Sequence, residues 1–60
     1  MKALCVELDI NKSLTIGNVY EIKTSCVNSG KLEYLIVNDL EYPKWYDEKL
    51  FVVTDGDRIN

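Results

Sequence analysis

The chain contains no histidine, so it lacks the side chain that most often serves as a general base or a metal ligand. Its two cysteines, Cys5 and Cys26, are too few to complete a four-ligand zinc site within one chain. The three glycines, Gly17, Gly30 and Gly56, do not have the spacing of a phosphate-binding loop. The sequence therefore predicts a protein that is not an enzyme and that uses no metal, nucleotide or other cofactor.

Long apolar runs are also missing. Glu7 and Asp9 interrupt the amino-terminal residues before an apolar segment of signal-peptide length can form. No window approaches the 18 or more apolar residues of a membrane span. We expect no secretory signal, no membrane contact and a cytoplasmic location. In that compartment Cys5 and Cys26 are expected to be reduced thiols, packed in the core as small apolar groups.

Basic residues are scarcer than acidic ones. Seven Lys and Arg face ten Asp and Glu, which gives a net charge of −3. Residues 31–60 hold the whole excess, with seven carboxylates against four basic side chains. Such a chain has no basic stripe to neutralise phosphates, so the composition disfavours nucleic acid as a partner. It fits a protein partner with a basic surface, to which carboxylates would steer association.

What the sequence does contain is short segments in which apolar and polar residues alternate. In residues 4–10 this alternation places Leu4, Val6, Leu8 and Ile10 on one face. The same reasoning predicts five strands, at residues 4–10, 20–26, 31–37, 44–46 and 51–53. In the second strand Tyr20, Ile22, Thr24 and Cys26 are expected to share a side. The third strand ends in four consecutive apolar residues, which favours a central place in the sheet.

The segments between these strands have the residues that turns require. Gly17 suits a turn with positive φ, and Gly30 is expected in a left-handed conformation within the Asn28-Ser29-Gly30 hairpin turn. Pro43 is tolerated at the start of a strand or on an edge strand. Asp47 can cap one helical turn before the last strand.

With 60 residues the chain forms one domain, with an ordered core at about residues 3–53 and a polar tail at 54–60. Five short strands that close on themselves would leave few exposed edges. The predicted fold is therefore all-β, a small five-stranded barrel with at most one helical turn.

Three segments carry a resemblance to a known family: Leu14-Thr15-Ile16-Gly17-Asn18-Val19-Tyr20-Glu21-Ile22, then Tyr34-Leu35-Ile36-Val37-Asn38-Asp39, then Trp45-Tyr46-Asp47-Glu48-Lys49-Leu50-Phe51. In this order they resemble small Src-homology-3-like barrel proteins of bacteriophages and prophages of Gram-positive bacteria. The resemblance implies a five-stranded barrel, with Trp45 as a residue of the barrel itself. Residues 40–43 depart from the pattern, because a more polar, glycine-bearing turn is expected there.

Aromatic residues are the remaining signal, and three of the six lie between residues 42 and 46. Tyr20, Tyr34 and Phe51 are expected in the core or at its rim. Strand alternation sends one of Trp45 and Tyr46 inward and the other outward. Aromatic side chains are enriched at binding hot spots. The candidate protein-binding residues are Glu41, Tyr42, Trp45, Tyr46 and Asp47.

The leading functional hypothesis combines the resemblance with the acidic second half. It describes a phage or prophage accessory protein that binds, and inhibits, a protein in the cytoplasm of the bacterial host, such as a defence or nucleic-acid-processing enzyme. One alternative is a barrel that binds single-stranded nucleic acid, with Lys44 and Lys49 around Trp45. Another is a structural subunit of a phage assembly, and a homodimer also stays open.

Overall fold

A computed structural model describes residues 1–54 of the chain. Its elements are β1 (Lys2–Cys5), β2 (Val19–Asn28), β3 (Lys31–Val37), β4 (Pro43–Asp47), a 3-10 turn (Glu48–Leu50) and β5 (Phe51–Val53). Neighbouring strands are antiparallel, in the order β4-β3-β2-β1-β5. The predicted all-β fold with five strands and one short helical turn is confirmed. The predicted tail lies, except for Thr54, outside the described residues.

Phe51 joins the two ends of the sheet. Its ring centroid on β5 lies 6.2 Å from that of Tyr46 on β4, 6.2 Å from that of Tyr34 on β3 and 6.4 Å from that of Tyr20 on β2, each in edge-to-face geometry. Both edge strands therefore pack on one core, and the sheet is barrel-like. The expected burial of Tyr20, Tyr34 and Phe51 is confirmed. The rest of the core consists of Ala3, Cys5, Leu14, Ile22, Ile36, Tyr46 and Leu50.

The predicted first strand was wrong in its extent and in its inward face. β1 ends at Cys5, and its buried residues are Ala3 and Cys5, whereas Leu8 and Ile10 are exposed. The chain leaves the sheet because the N–H groups of residues 6 and 7 both donate to the carbonyl of Leu50, at 2.8 and 3.3 Å. Residues 6–18 are consequently a long connection, in which no strand is found.

The expectation that β3 is central was also wrong, because β2 occupies the middle of the sheet. A register shift between Ile22 and Thr24 interrupts the alternation of β2. Beyond it the β2–β3 hairpin extends past the core, so Thr24 and Cys26, which were expected to face inward, are exposed. The predicted burial of Cys5 is confirmed, and burial raises the pKa of its thiol.

The β2–β3 turn has the geometry that its sequence predicts. Asn28 pairs with Lys31, and the two residues between them have positive φ, 54° at Ser29 and 80° at Gly30. Positive φ at both central positions defines the two-residue turn whose twist matches that of the flanking strands. The left-handed conformation expected for Gly30 is therefore confirmed.

A Gly30→Val substitution is expected to lower the melting temperature. No heavy atom lies within 4 Å of a Cβ built at Gly30, so the cost comes from the left-handed backbone and is about 1 kcal/mol or more. Each ~1 kcal/mol corresponds to roughly 4–8 °C in a domain of this size. Gly30→Asn is the matched control, because asparagine tolerates this conformation. Equal melting temperatures for Gly30→Val and the parent protein would contradict the assignment.

Candidate functional site

Trp45 and Tyr46 lie on opposite faces of β4. Tyr46 is paired with the buried Tyr34 and is only 5% exposed, whereas Trp45 is paired with Leu35 and is 44% exposed. The alternation predicted for this dipeptide is confirmed. The expectation that the Trp45 side chain packs inside the barrel was wrong. Trp45 lies on β4, but the strand register gives the inward position to Tyr46.

A groove of about 490 Å³ runs beside β4. One wall is formed by residues 7–11 of the β1–β2 connection, and the other by residues 44–47 together with Lys49 and Leu50. We call it the β4 groove. Sequence analysis placed residues 7–10 in a strand and so did not anticipate a wall here.

Three large apolar side chains are exposed in the β4 groove. Leu8 is 47% exposed, Ile10 is 96% exposed and Trp45 is 44% exposed. Apolar side chains that are scattered over a surface are ordinary, but several gathered in one groove mark a contact site. Tryptophan is also among the residues most enriched at binding hot spots.

The charge of the groove walls is mostly negative. The residues that line it include three carboxylates, Glu7, Asp9 and Asp47, and two lysines. The 7–11 wall has Glu7 and Asp9 and no basic residue, whereas both lysines, Lys44 and Lys49, belong to the opposite wall. The groove is therefore acidic on the side that faces β4.

A chain of hydrogen bonds ties the 7–11 wall to the core. The Asn38 amide donates to the Tyr46 hydroxyl at 3.1 Å, and the Ser13 hydroxyl donates to the Asp9 carboxylate at 2.8 Å. The Tyr46 and Ser13 hydroxyls are 2.7 Å apart. Because Ser13 has a single O–H and spends it on Asp9, the Tyr46 hydroxyl must donate to Ser13. The Ser13 N–H also donates to Asp9, at 2.8 Å.

A second chain of hydrogen bonds holds the same connection to the β3–β4 loop. The Thr15 N–H donates to the Tyr20 hydroxyl at 2.9 Å, and that hydroxyl donates to the Asp39 carboxylate at 2.6 Å. The Thr15 hydroxyl donates to the other Asp39 oxygen at 2.6 Å. Burial, together with the bond to Asp39, raises the pKa of Tyr20. The Tyr46 hydroxyl is thus linked through Ser13 to Asp9, and the Tyr20 hydroxyl is bonded directly to Asp39.

Three aspartates, Asp9, Asp39 and Asp47, are stabilised in their charged form. Hydrogen bonds from Thr15 and Tyr20 lower the pKa of Asp39. Burial acts to raise the pKa of Asp9, but the hydrogen bonds from Ser13 and the nearby backbone outweigh it and lower that pKa. The Lys49 N–H, with a contribution from Lys31, lowers the pKa of Asp47.

Acid is therefore expected to destabilise the fold. A carboxyl whose pKa is lowered by folding contributes stability above its ordinary value, here 3.8, and that contribution is lost as the pH falls through the folded-state pKa. Thermal melts should show a melting temperature that drops from pH 5 towards pH 2. Asp39→Asn should lower the melting temperature at pH 7, with the difference from the parent protein shrinking at pH 2. If the difference in melting temperature between Asp39→Asn and the parent protein stays constant with pH, the ionised Asp39 carboxylate is not a source of the acid sensitivity.

Asn38 organises the β3–β4 loop. Its buried side-chain oxygen accepts hydrogen bonds from the N–H groups of Leu40 and Tyr42, at 2.9 and 3.1 Å, and its own N–H donates to the Tyr42 carbonyl at 2.9 Å. Glu41 has φ of 65°, a conformation that glycine adopts more easily. The loop therefore exposes Leu40 and Tyr42 at 70% and 67%, and the predicted exposure of Tyr42 is confirmed.

The five predicted binding residues do not form one surface. Trp45 and Asp47 line the β4 groove, while Glu41 and Tyr42 lie on the loop before β4 and do not line it. Tyr46 is in the core, since its hydroxyl is consumed by Ser13 and Asn38. Asp47 also caps the 3-10 turn, as predicted, and forms an ion pair with Lys31 at 3.6 Å.

Leu8 and Ile10 are groove residues that sequence analysis missed. Their alternation was interpreted as a strand face, but the turn-forming residues that follow were the signal against that interpretation. Asp9 accepts hydrogen bonds from both the N–H and the O–H of Ser13, a local pattern that competes with sheet formation. An Asp four residues before a Ser, with Asn11 and Lys12 between, fits such a turn.

Comparison with protein-family models, curated proteins and solved structures finds no match for this chain. The Src-homology-3-like resemblance consequently depends on the sequence motifs alone. Among residues 1–54, no helix has the length and apolar character needed to cross a membrane. That part of the chain also contains no group of three or more Cys, Asp or Glu side chains arranged to hold a metal ion.

Proposed function

We propose that the chain is a non-enzymatic binding protein that recognises a protein partner through the β4 groove. The observation that carries the proposal is the exposed indole of Trp45, which lines that groove together with the exposed Leu8 and Ile10 of the opposite wall. A rigid aromatic side chain in an apolar concavity supplies a large contact area at a low entropy cost. The accessory role in a phage or prophage, with a host protein as the target, is supported by the sequence resemblance.

The charge of the groove favours a basic partner. Glu7 and Asp9 form an acidic wall opposite Trp45, and the chain as a whole carries a net charge of −3. Carboxylates around an apolar anchor speed association with a basic surface and oppose acidic ones. A host enzyme that handles nucleic acid has such a surface, which agrees with the role as an inhibitor.

The proposal is tested by quantitative pull-down from a lysate of a Gram-positive bacterium. We expect Trp45→Ala to lose a partner that the parent protein retains, because removal of a hot-spot residue costs ~2 kcal/mol or more of binding, roughly thirtyfold. The control is Val27→Ala, since Val27 is 71% exposed on the β2–β3 hairpin and does not line the groove. Equal recovery by Trp45→Ala and Val27→Ala would contradict a role for the groove.

A second candidate function is binding of single-stranded nucleic acid, because Lys44 and Lys49 line the same groove as Trp45. A base stacked on the indole between two lysines would use this arrangement. The carboxylates of the opposite wall repel phosphates, so we place this function second. Titration of a single-stranded oligonucleotide at low salt tests it, and unchanged Trp45 fluorescence would exclude it.

A further inference from the structure

We propose that the β4 groove binds an extended segment of the partner as an added β-strand, paired with the backbone of β4 at Trp45 and carrying alternating basic and apolar side chains. This inference rests on the proposed protein-binding function and specifies how the partner is recognised.

The hydrogen-bond pattern of β4 follows from its register. Asn38 N–H donates to the Tyr42 carbonyl at 2.9 Å, so this opposed pair is hydrogen-bonded. Hydrogen-bonded and non-hydrogen-bonded pairs alternate along antiparallel strands. Trp45 opposite Leu35 is therefore a non-hydrogen-bonded pair, as is Pro43 opposite Val37, which agrees with the missing N–H of proline. The N–H and C=O of Trp45 consequently point away from β3.

Residues 1–54 provide no partner for these outward backbone groups. β4 is an edge strand, and no backbone hydrogen bond from a turn or loop within residues 1–54 reaches the N–H or C=O of Trp45. An unpaired row of this kind is a template for another strand, and proteins ordinarily cover or blunt it. Here the edge borders a groove of about 490 Å³ whose far wall is residues 7–11. The described part of the chain thus leaves the space beside the edge available to an extended segment.

The walls indicate the side chains that this strand carries. Side chains of an added strand alternate between the two faces of the sheet. The exposed apolar groups of Leu8, Ile10 and Trp45 favour apolar residues in the segment, and the carboxylates of Glu7 and Asp9 favour basic ones. A second copy of this chain would bring the same net charge of −3 and is disfavoured by repulsion.

The test uses three synthetic probes and the full chain labelled with ¹⁵N. The first probe is the capped octapeptide (Lys-Val)₄, and the other two carry backbone N-methyl groups on all lysines or on all valines. Only alternate amides of an added strand face β4, so we expect one N-methylated probe to bind at least tenfold more weakly than the parent probe. We also expect the Trp45 amide to exchange rapidly in the free protein and to be protected in the complex.

Matched charge variants test the acidic wall. Glu7→Lys should weaken binding of (Lys-Val)₄ at least fivefold, whereas Glu21→Lys, which changes the net charge equally but lies on β2, should weaken it less than twofold. Equal losses would show that only overall charge matters and would overturn the basic-segment assignment.

Other outcomes would overturn strand addition without touching the proposed function. If (Lys-Val)₄ does not bind at 1 mM, or binds without protecting the Trp45 amide, the edge is not a strand acceptor. Protection of that amide in the free protein at every concentration would show that the edge is already covered. Protection that grows with protein concentration, together with a doubled mass by light scattering, would identify a second copy as the occupant. The proposed function fails separately, in the pull-down with Trp45→Ala.

Discussion

Replacement of Phe51 by alanine is expected to leave the chain unfolded at 25 °C. Phe51 is 7% exposed, and its ring touches three tyrosine rings, contributed by β2, β3 and β4. Truncation of a buried aromatic residue costs ~3–5 kcal/mol. A single core in a chain of this length supplies a similar amount, ~3–5 kcal/mol in total. Circular dichroism should therefore show no cooperative thermal transition for this variant.

The neighbouring residue provides the control. Val52 lies on the same strand as Phe51 but is 53% exposed on the other face, so Val52→Ala should change the unfolding free energy by less than ~1 kcal/mol. Phe51→Leu should retain a cooperative transition at a lower temperature, because it keeps part of the buried volume. A Phe51→Ala variant that melts with the parent protein would mean that β5 does not close the core.

Tyr46→Ala and Trp45→Ala should have opposite effects on the stability of the fold. Tyr46 is 5% exposed, so its truncation should cost ~3–5 kcal/mol and abolish the fold. Trp45 is 44% exposed, so its truncation should leave a cooperative transition and affect binding instead. Thermal melts of the two variants are the measurement. Unfolding of Trp45→Ala with survival of Tyr46→Ala would reverse the assignment of these side chains.

Tyr46→Phe isolates the hydroxyl from the ring. It keeps the packing against Phe51 but leaves the buried Asn38 amide without its 3.1 Å acceptor. An unsatisfied buried donor costs about 1–3 kcal/mol, so this variant should fold with a reduced melting temperature. An unchanged melting temperature would show that water replaces the tyrosine oxygen.

Much of the fold is predictable from local sequence signals. β3 and β5 have the predicted bounds, and the Gly30 turn and the Asp47 cap were both anticipated. Each of these features is decided by a few neighbouring residues, through alternation, a required positive φ or a capping side chain. Such signals do not depend on which strands come to lie side by side.

The errors arose where distant parts of the chain decide the outcome. Residues 4–10 alternate well enough for a strand, but the Leu50 carbonyl draws residues 6 and 7 out of the sheet. The alternation of β2 predicted that Cys26 is buried, and a register shift against β3 exposes it. These contacts span between about 10 and 45 positions along the chain, and a pattern read within one segment does not contain them.

The candidate site was predicted only in part for the same reason. The aromatic cluster drew attention to β4, and alternation showed that one member of Trp45 and Tyr46 is exposed, but not which one. The choice follows from pairing with Tyr34 and Leu35 on β3. The opposite groove wall comes from residues more than thirty positions earlier, so Leu8 and Ile10 had no local signal that linked them to Trp45.

The bonds that hold residues 7–11 determine how much freedom a partner must remove. Association usually costs entropy for every loop that it orders. This wall is already fastened at Leu50, through the N–H of Glu7, and at Tyr46, through Ser13 and Asp9. Its motion is lost when the chain folds rather than when a partner arrives. The contact energy of the groove is therefore available for affinity, and Ser13, which is buried and does not line the groove, contributes to binding by holding Asp9 in place.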